Sequence, residues 1–326
     1  MEYILIRLGI VGAGSIVQSH IDAAKLSGFF PAVICGREGS TRALRITKTN
    51  HGLSAVPNLN KLLQFELDAI LIAVSTEEAA GVLEKCLESN LPILIEKPIT
   101  TDAKILKRLN DLGSRQVRVG YNRRFYSSIS RFKEELVNQS GLVQVVIPEL
   151  SIASNTSLEE RITAVLENSV HILDLLGFVF GEVNIIQKLI IKNHDNIDCI
   201  TAQIKLGEHF VGSINLIFET SENTSIKCWI QGKSLELMPI ENFNKSTKMK
   251  IVLPSNSSPV KRYEKVLENW EIGQDDTKAK PGFLGQYDAF KNFIAGAPSE
   301  NLATLQDALK SLNLGIELLN NLSNKK

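Results

Sequence analysis

Three places in the chain combine residue types that can do chemistry. Gly12-Ala13-Gly14 directly follows an apolar, β-branched run and opens a helical pattern; Glu96-Lys97-Pro98 closes another apolar run; and Glu167, His171 and Asp174 fall on one helical stretch. At the first place, Gly12 permits a tight turn, and Gly14, lacking a Cβ, lets an anion approach the backbone amides of a helix N-terminus. Orphan N–H groups and the helix macrodipole favour negative charge there, and Ala13, Ser15 and Ile16 share the turn. Strand, glycine turn and helix in that order are the context of a dinucleotide pyrophosphate site. Val17 stands where that fingerprint has its third small residue, which would hold the helix slightly farther from the sheet. The competing reading is a pair of plain turn glycines.

The next apolar strand ends at Cys35-Gly36-Arg37, the corner where an acidic side chain would accept adenosine ribose hydroxyls. No carboxylate comes before Glu38, whereas Arg37, with Arg42 nearby, suits a 2′-phosphate and an adenine face. The expected cofactor is therefore NADP, with NAD left open; alternatively Arg37 is a solvated loop charge. Ser75, Thr76, Glu96 and Lys97 complete the expected cofactor lining. Glu96-Lys97 lies at the carboxyl edge of a sheet, where open α/β sheets bind ligands, so Lys97 is placed to exchange a proton beside a nicotinamide. The bland alternative makes it a strand-end partner of Glu96.

The elements that must position these residues are legible in the hydrophobic pattern. Up to residue 120, strands at 3–11, 31–37, 67–74 and 91–98 alternate with helical patterns at 15–27, 41–49 and 76–88. Strands apolar on both faces suit a parallel sheet covered by helices, and Gly28 is placed to end the first helix. Beyond Gly120, runs at 141–153, 182–193, 197–219 and 225–240 have period-two character, with reversals expected at Gly207-Glu208 and Gly232-Lys233. They read as an antiparallel meander interrupted by one helix at 158–178, and helices return at 285–295 and 304–320. The end, NNLSNKK, reads as a frayed tail. The expectation is an α/β chain: a doubly wound parallel (Rossmann) domain over 1–120, then an α+β domain over 121–326 with an open, mostly antiparallel sheet. The C-terminal helices are expected to pack back on the first domain.

With 326 residues, 44% hydrophobic and 22% charged, the chain can bury substantial cores. Lys plus Arg (36) balances Asp plus Glu (36), so no global field draws it to nucleic acid or to an anionic membrane. The four cysteines lie far apart, none in a CxxC pair and none close to a histidine in zinc-finger spacing, which suggests reduced thiols and no metal site. Arg7 interrupts the N-terminal apolar run, so a cytoplasmic address is expected.

GAGSI, IEKPIT, VGYNRRF (119–125) and ENSVHILDLL (167–176), followed by FLGQYDAFKNFIAGAP and DALKSLNLGIELLNN, occur in an order that resembles the Gfo/Idh/MocA family of glucose-fructose oxidoreductase and inositol dehydrogenase relatives. The resemblance implies NAD(P)-dependent hydride transfer to or from a sugar, polyol or nucleotide-sugar hydroxyl or ketone. It implies Lys97 and His171 as catalytic residues, with Glu167, Asp174, Tyr121, Asn122 and Arg123 around the substrate. Residues four apart share a helix face, so Glu167 and His171 should project together, with Asp174 close by. Lys97 and His171 are expected to converge beside the nicotinamide. AVSTEEAAG replaces the family's TPxxxH, and Glu167 replaces an aspartate. These departures motivate the alternative of a catalytically inactive NAD(P)-binding sensor or partner protein. His20 reads as structural or as lying near the cofactor diphosphate, and Trp229 and Trp270 as sheet packing, Trp270 being within reach of a ligand. A homodimer or homotetramer is expected through the open sheet, since a bare sheet invites pairing.

Overall fold

The computed structural model describes residues 5–113, 115–149, 157–193, 196–270 and 277–320. The chain forms two compact units: Met1–Phe125 with Gln274–Asn313, and Tyr126–Gly273 with Leu314–Lys326. The first begins with β1 (Ile6–Val11), α1 (Val17–Leu26), β2 (Phe29–Cys35), α2 (Arg42–Thr49), β3 (Ser54–Val56) and α3 (Leu59–Leu62). It continues with β4 (Ala69–Ile72), α4 (Thr76–Leu87), β5 (Ile93–Ile95), α5 (Ala103–Gly113), β6 (Val117–Val119) and a 3-10 turn at Asn122–Phe125. The strands pair in parallel in the order β3-β2-β1-β4-β5-β6. The order reverses between β1 and β4, which opens a crevice at their carboxyl ends where such sheets take ligands. β4 and β5 are buried along their whole length, as their apolar runs required. The three-residue strands β3 and β6 and the short α3 carry too few residues for a periodic signal, and α5 went unread with them.

The second unit comprises α6 (Ser127–Glu135), β7 (Gly141–Glu149), α7 (Leu158–Ala164), a π-helical turn (Val165–Ser169), α8 (Val170–Phe180) and β8 (Val183–Asn193). β9 (Asn196–Leu206), β10 (Phe210–Phe218), β11 (Ser225–Ile230), β12 (Lys233–Leu237), β13 (Phe243–Val252) and β14 (Arg262–Trp270) follow. The eight strands run in the order β14-β13-β12-β11-β7-β10-β9-β8. The meander expected from sequence is corrected at one junction: β7 and β10 pair in parallel, which brings β7 into the middle of the later strands. Reversals do fall at Gly207 and Gly232, both with positive φ. Along β7, Val143, Val145 and Ile147 are buried while Leu142 is exposed. The run Leu158–Phe180 is long and apolar enough to cross a membrane by length and composition, and half of it is buried inside the structure, as a core helix is. β13 and β14 carry lysines and glutamates along their length, so no apolar alternation announced them.

Two further helices, α9 (Phe283–Ile294) and α10 (Leu305–Leu319), close the chain. Phe283, Tyr287 and Phe290 of α9 enter the first unit's core with Leu8, Ile10, Val17, Ile21 and Phe29. Phe29 meets Tyr287 edge-on at 5.4 Å and stacks with Phe290 at 6.0 Å. Such aromatic pairs each add about 0.5–1.5 kcal/mol beyond area burial. In the second unit, Lys188 donates to the carbonyls of Glu317, Leu318 and Asn320, satisfying the C-terminal end of α10. Of the sequence readings, Tyr3, residues 150–153, His194, the Trp270 side chain and the tail beyond Asn320 lie outside the described residues.

Candidate active site

At the β1–α1 turn, Gly12 has φ +117°, and a Cβ there would lie 2.0 Å from the Ala73 carbonyl oxygen at the end of β4. Only glycine lets the two strands stay that close. Gly12 donates its amide to Cys35 O at 2.8 Å, which ties the turn to the end of β2. A Cβ on Gly14 would meet nothing within 4 Å, so the turn opens outward at that point. Helix α1 begins after Ile16 with no side-chain cap and no acidic residue in its first turn. Ala13 and Ile16 are half-buried, and Gly14 and Ser15 exposed. This helix end therefore fits an anion on chemical grounds: among the described residues no side chain caps its donors, and the approach is open. Val17 is fully buried in the core, so the larger residue is absorbed by packing.

Arg37 lies at the β2 end with its side chain mostly exposed. Its Nε donates to Glu78 Oε1 at 2.7 Å and a terminal nitrogen to Ser75 Oγ at 3.1 Å. It is thus held by the N-terminal turn of α4 rather than solvated alone. Ser75 is the N-cap residue of α4, and Thr76 its first helical residue. The thiol of Cys35 beside the turn is pushed up to about 11 by burial, against the lowering effect of the Gly12 amide, and stays protonated at neutral pH.

Glu96 and Lys97 leave β5 at the same carboxyl edge. The Glu96 carboxylate accepts from the Lys97 backbone N–H at 3.3 Å and lies 3.0 Å from Nε2 of His20. Lys97 is half-buried. Gly120 gives the carboxylate its room, since a Cβ there would come 3.0 Å from Glu96 Oε1. In the adjoining segment, Tyr121 and Asn122 are buried, and Asn122 Nδ2 donates to Pro281 O at 2.9 Å, while Arg123 is half-buried. Asn122 therefore anchors the entry to α9, a structural task the sequence reading did not assign. Sequence reasoning also missed Tyr287. Its only signal was a tyrosine at a core position of a C-terminal helix.

In the second unit, Glu167 sits within the π-helical turn, His171 one residue into α8, and Asp174 on the same helix. The helix expected over 158–178 is present but is interrupted by the π-helical turn at Val165–Ser169. Such wide turns recur at functional sites. Glu167 and His171 are half-buried and Asp174 is buried. Glu149, at the end of β7 and 2% exposed, receives the hydroxyl of Ser169 and the Nδ2 of Asn168, the latter at 3.4 Å. A buried carboxylate requires such donors, and two consecutive residues at the end of the wide turn supply them. Glu149 was missed because a lone glutamate in an apolar strand reads as an edge residue. Among the described residues, no group of three His, Cys, Asp or Glu side chains could hold a metal ion.

A family model described as an oxidoreductase family with an NAD-binding Rossmann fold, GFO_IDH_MocA, matches residues 6–122. Over those residues the chain is similar to the Gfo/Idh/MocA family. The parallel sheet of the first unit is thus a Rossmann fold, the fold that this family model describes as NAD-binding. Inositol 2-dehydrogenase of Corynebacterium glutamicum (strain R) is 28% identical over 186 residues, 54% of this chain and 54% of the relative. The chain spans about half the length of the curated relatives it matches. Among solved structures, a dehydrogenase from Chromobacterium violaceum superposes with TM-score 0.76 at 16% identity, covering 96% of this chain and 94% of the other. UDP-N-acetylglucosamine 3-dehydrogenase of Acidithiobacillus ferrooxidans gives TM-score 0.73 at 17% identity over 97% of both chains. These two likenesses show the fold: a Rossmann domain followed by a mostly antiparallel sheet domain.

Proposed function

We propose that this Gfo/Idh/MocA protein is an NAD(P)-dependent dehydrogenase or reductase of a sugar, polyol or nucleotide sugar, the substrate types named by its inositol and UDP-N-acetylglucosamine dehydrogenase relatives. The observation that carries the reading is the uncapped, outward-open helix end at Gly14, with the Glu96-Lys97 turn at the same sheet edge. When bound, NAD(P) supplies hydride exchange at its nicotinamide ring. The amides of Ala13, Gly14, Ser15 and Ile16 hold the pyrophosphate, and Ser75, Thr76 and Glu96 line the cofactor. Arg37, already drawn to the β2 corner by Glu78 and Ser75, favours NADP by pairing with a 2′-phosphate.

In this reading residues 1–120 bind the cofactor and 121–326 bind substrate. Lys97 and His171 exchange the hydroxyl proton, and general acid–base catalysis of this kind contributes about 10² to 10⁴ in rate. Glu167 and Asp174 accept hydrogen bonds from neighbouring hydroxyls, with Tyr121, Asn122 and Arg123 at the substrate's edge. The four free thiols support a reducing, cytoplasmic address. The sheet face that exposes Leu142, Ile186, Val211 and Leu267 supports self-association into a dimer or tetramer.

The test is purified protein incubated with NAD or NADP and a panel of polyols, aldoses and nucleotide sugars, with nicotinamide absorbance followed. Turnover with at least one member is expected. Cofactor binding with no turnover across the panel would favour the sensor reading, which the replacement of TPxxxH by AVSTEEAAG supports.

A further inference from the structure

A line of three polar side chains crosses the otherwise apolar core of the first unit. His20 on α1 and Tyr287 on α9 are fully buried, and Glu96 after β5 is 16% exposed. His20 Nδ1 lies 3.1 Å from the Tyr287 hydroxyl and Nε2 lies 3.0 Å from Glu96 Oε1. A carboxylate only accepts, so Nε2 carries the ring proton; Nδ1 is then the acceptor, and the phenol donates to it. Burial, and after it the Glu96 charge, pushes the Tyr287 hydroxyl well above its ordinary range, which keeps it a donor. The line therefore runs one way, from Tyr287 through His20 to Glu96, and Glu96 Oε2 in turn accepts the Lys97 backbone N–H.

Its inner end is sealed by rings: His20 lies 4.7 Å from Phe283 and Tyr287 lies 5.4 Å from Phe29, centroid to centroid. Tyr287 touches no solvent, so the line does not conduct a proton out of the protein. What it can do is hold one carboxylate in one place. Buried polar groups are costly unless fully paired, and an apolar trio would fill the same volume without that requirement. Yet α1 and α9, whose residues here stand 267 positions apart, converge on this one carboxylate beside Lys97.

We propose that His20 and Tyr287 are positioning residues for Lys97, acting through Glu96. They pin the carboxylate that binds the backbone of residue 97, and so fix the direction in which the amine leaves the strand end. The proposal rests on the proton-transfer role given to Lys97 above. Its test uses the full chain with Tyr287→Phe, which keeps the ring, and His20→Gln, which keeps one donor and one acceptor. Glu96→Gln, at the outer end of the line, serves as the third variant and reads the same effect where a core variant fails to fold. The first readout needs neither cofactor nor substrate: the rate at which an acylating reagent labels Lys97, followed by peptide mass spectrometry. The second is kcat set against cofactor Kd. The labelling rate should change by about threefold and kcat fall by about tenfold or more, as misplacement of a reacting group does. Cofactor Kd should stay within about twofold in Tyr287→Phe and His20→Gln, while Glu96→Gln is read by labelling alone because Glu96 also lines the cofactor, and the Tyr287→Phe/His20→Gln pair should be no worse than His20→Gln alone, as members of one line are non-additive. Unchanged labelling and kcat in the folded variants would overturn the proposal. If Lys97→Ala keeps normal turnover while Tyr287→Phe still shifts labelling, the role of Lys97 fails but its positioning stands.

Discussion

Alanine at Gly12 and at Gly14 should have opposite effects on fold and on binding. At Gly12 the added Cβ would stand 2.0 Å from Ala73 O and 2.6 Å from Ala73 C, both backbone atoms at the exit of β4. Neither can rotate away, so β1 and β4 must part locally, an overpacking cost of about 1–3 kcal/mol. The φ of +117° adds backbone strain of about 1–3 kcal/mol for any residue with a Cβ. Gly12→Ala should therefore lose about 2–6 kcal/mol, a large share of the roughly 5–15 kcal/mol that keeps a domain folded. Gly14→Ala adds a Cβ that meets nothing within 4 Å, so stability should stay within about 0.5 kcal/mol. That Cβ would stand on the approach to the helix amides. Losing one charge-assisted hydrogen bond to the pyrophosphate costs about 1.5–3 kcal/mol, or about 10- to 150-fold in Kd. Thermal unfolding and calorimetric titration with NAD and NADP separate the two effects. A Gly14→Ala protein that binds both cofactors as the parent does, or a Gly12→Ala protein with an unshifted Tm, would refute the reasoning.

Lys97→Ala should lower kcat by about 10² to 10⁴ and leave cofactor Kd within a few-fold; normal turnover with the true substrate would remove Lys97 from the mechanism. Glu78→Gln releases Arg37 from its exposed ion pair, whose worth is about 0–1 kcal/mol, so the Kd ratio should move toward NADP by up to about fivefold. Arg37→Ala should move the ratio the other way, toward NAD, and a ratio unmoved by that variant would show that Arg37 does not read the cofactor. In the second unit, the hydrogen bond from Lys245, then that from Lys233, holds the Glu135 carboxyl below its ordinary range. Because the folded value is depressed, this stabilisation is complete above the unfolded value near pH ~4.3 and is lost as pH falls through the folded one. Glu135→Gln should accordingly lower Tm at neutral pH and converge with the parent in acid; a gap that persists in acid would contradict the assignment. On the open sheet face, Ile186→Lys with Val211→Lys should shift light-scattering mass toward the single chain, and an unaltered mass would place self-association elsewhere.

The parts of this fold that sequence made legible are those with long, one-sided physical demands. The two-faced burial of β4 and β5 forced near-continuous apolar runs, and the turn at Gly12 required glycine, so strand, turn and helix could be placed to within a few residues. Legibility failed where the signal is non-local or charged. The parallel pairing of β7 with β10 leaves the same alternation in each strand as an antiparallel pair would. The π-helical turn preserves the apolar run from α7 to α8, so it leaves no mark on the hydrophobic pattern. His20 could be marked from sequence as structural, but its partners Glu96 and Tyr287 lie on distant segments that only packing brings together.

The central claim is that this chain moves a hydride between a carbinol carbon and a nicotinamide. It is tested most directly by turnover of a polyol deuterated at its carbinol carbons, with mass spectrometry and NMR of the recovered cofactor. The account predicts one deuterium on the reduced nicotinamide ring, at a single stereochemical position. Reduced cofactor without deuterium, or product formed while the cofactor stays oxidised, would contradict it.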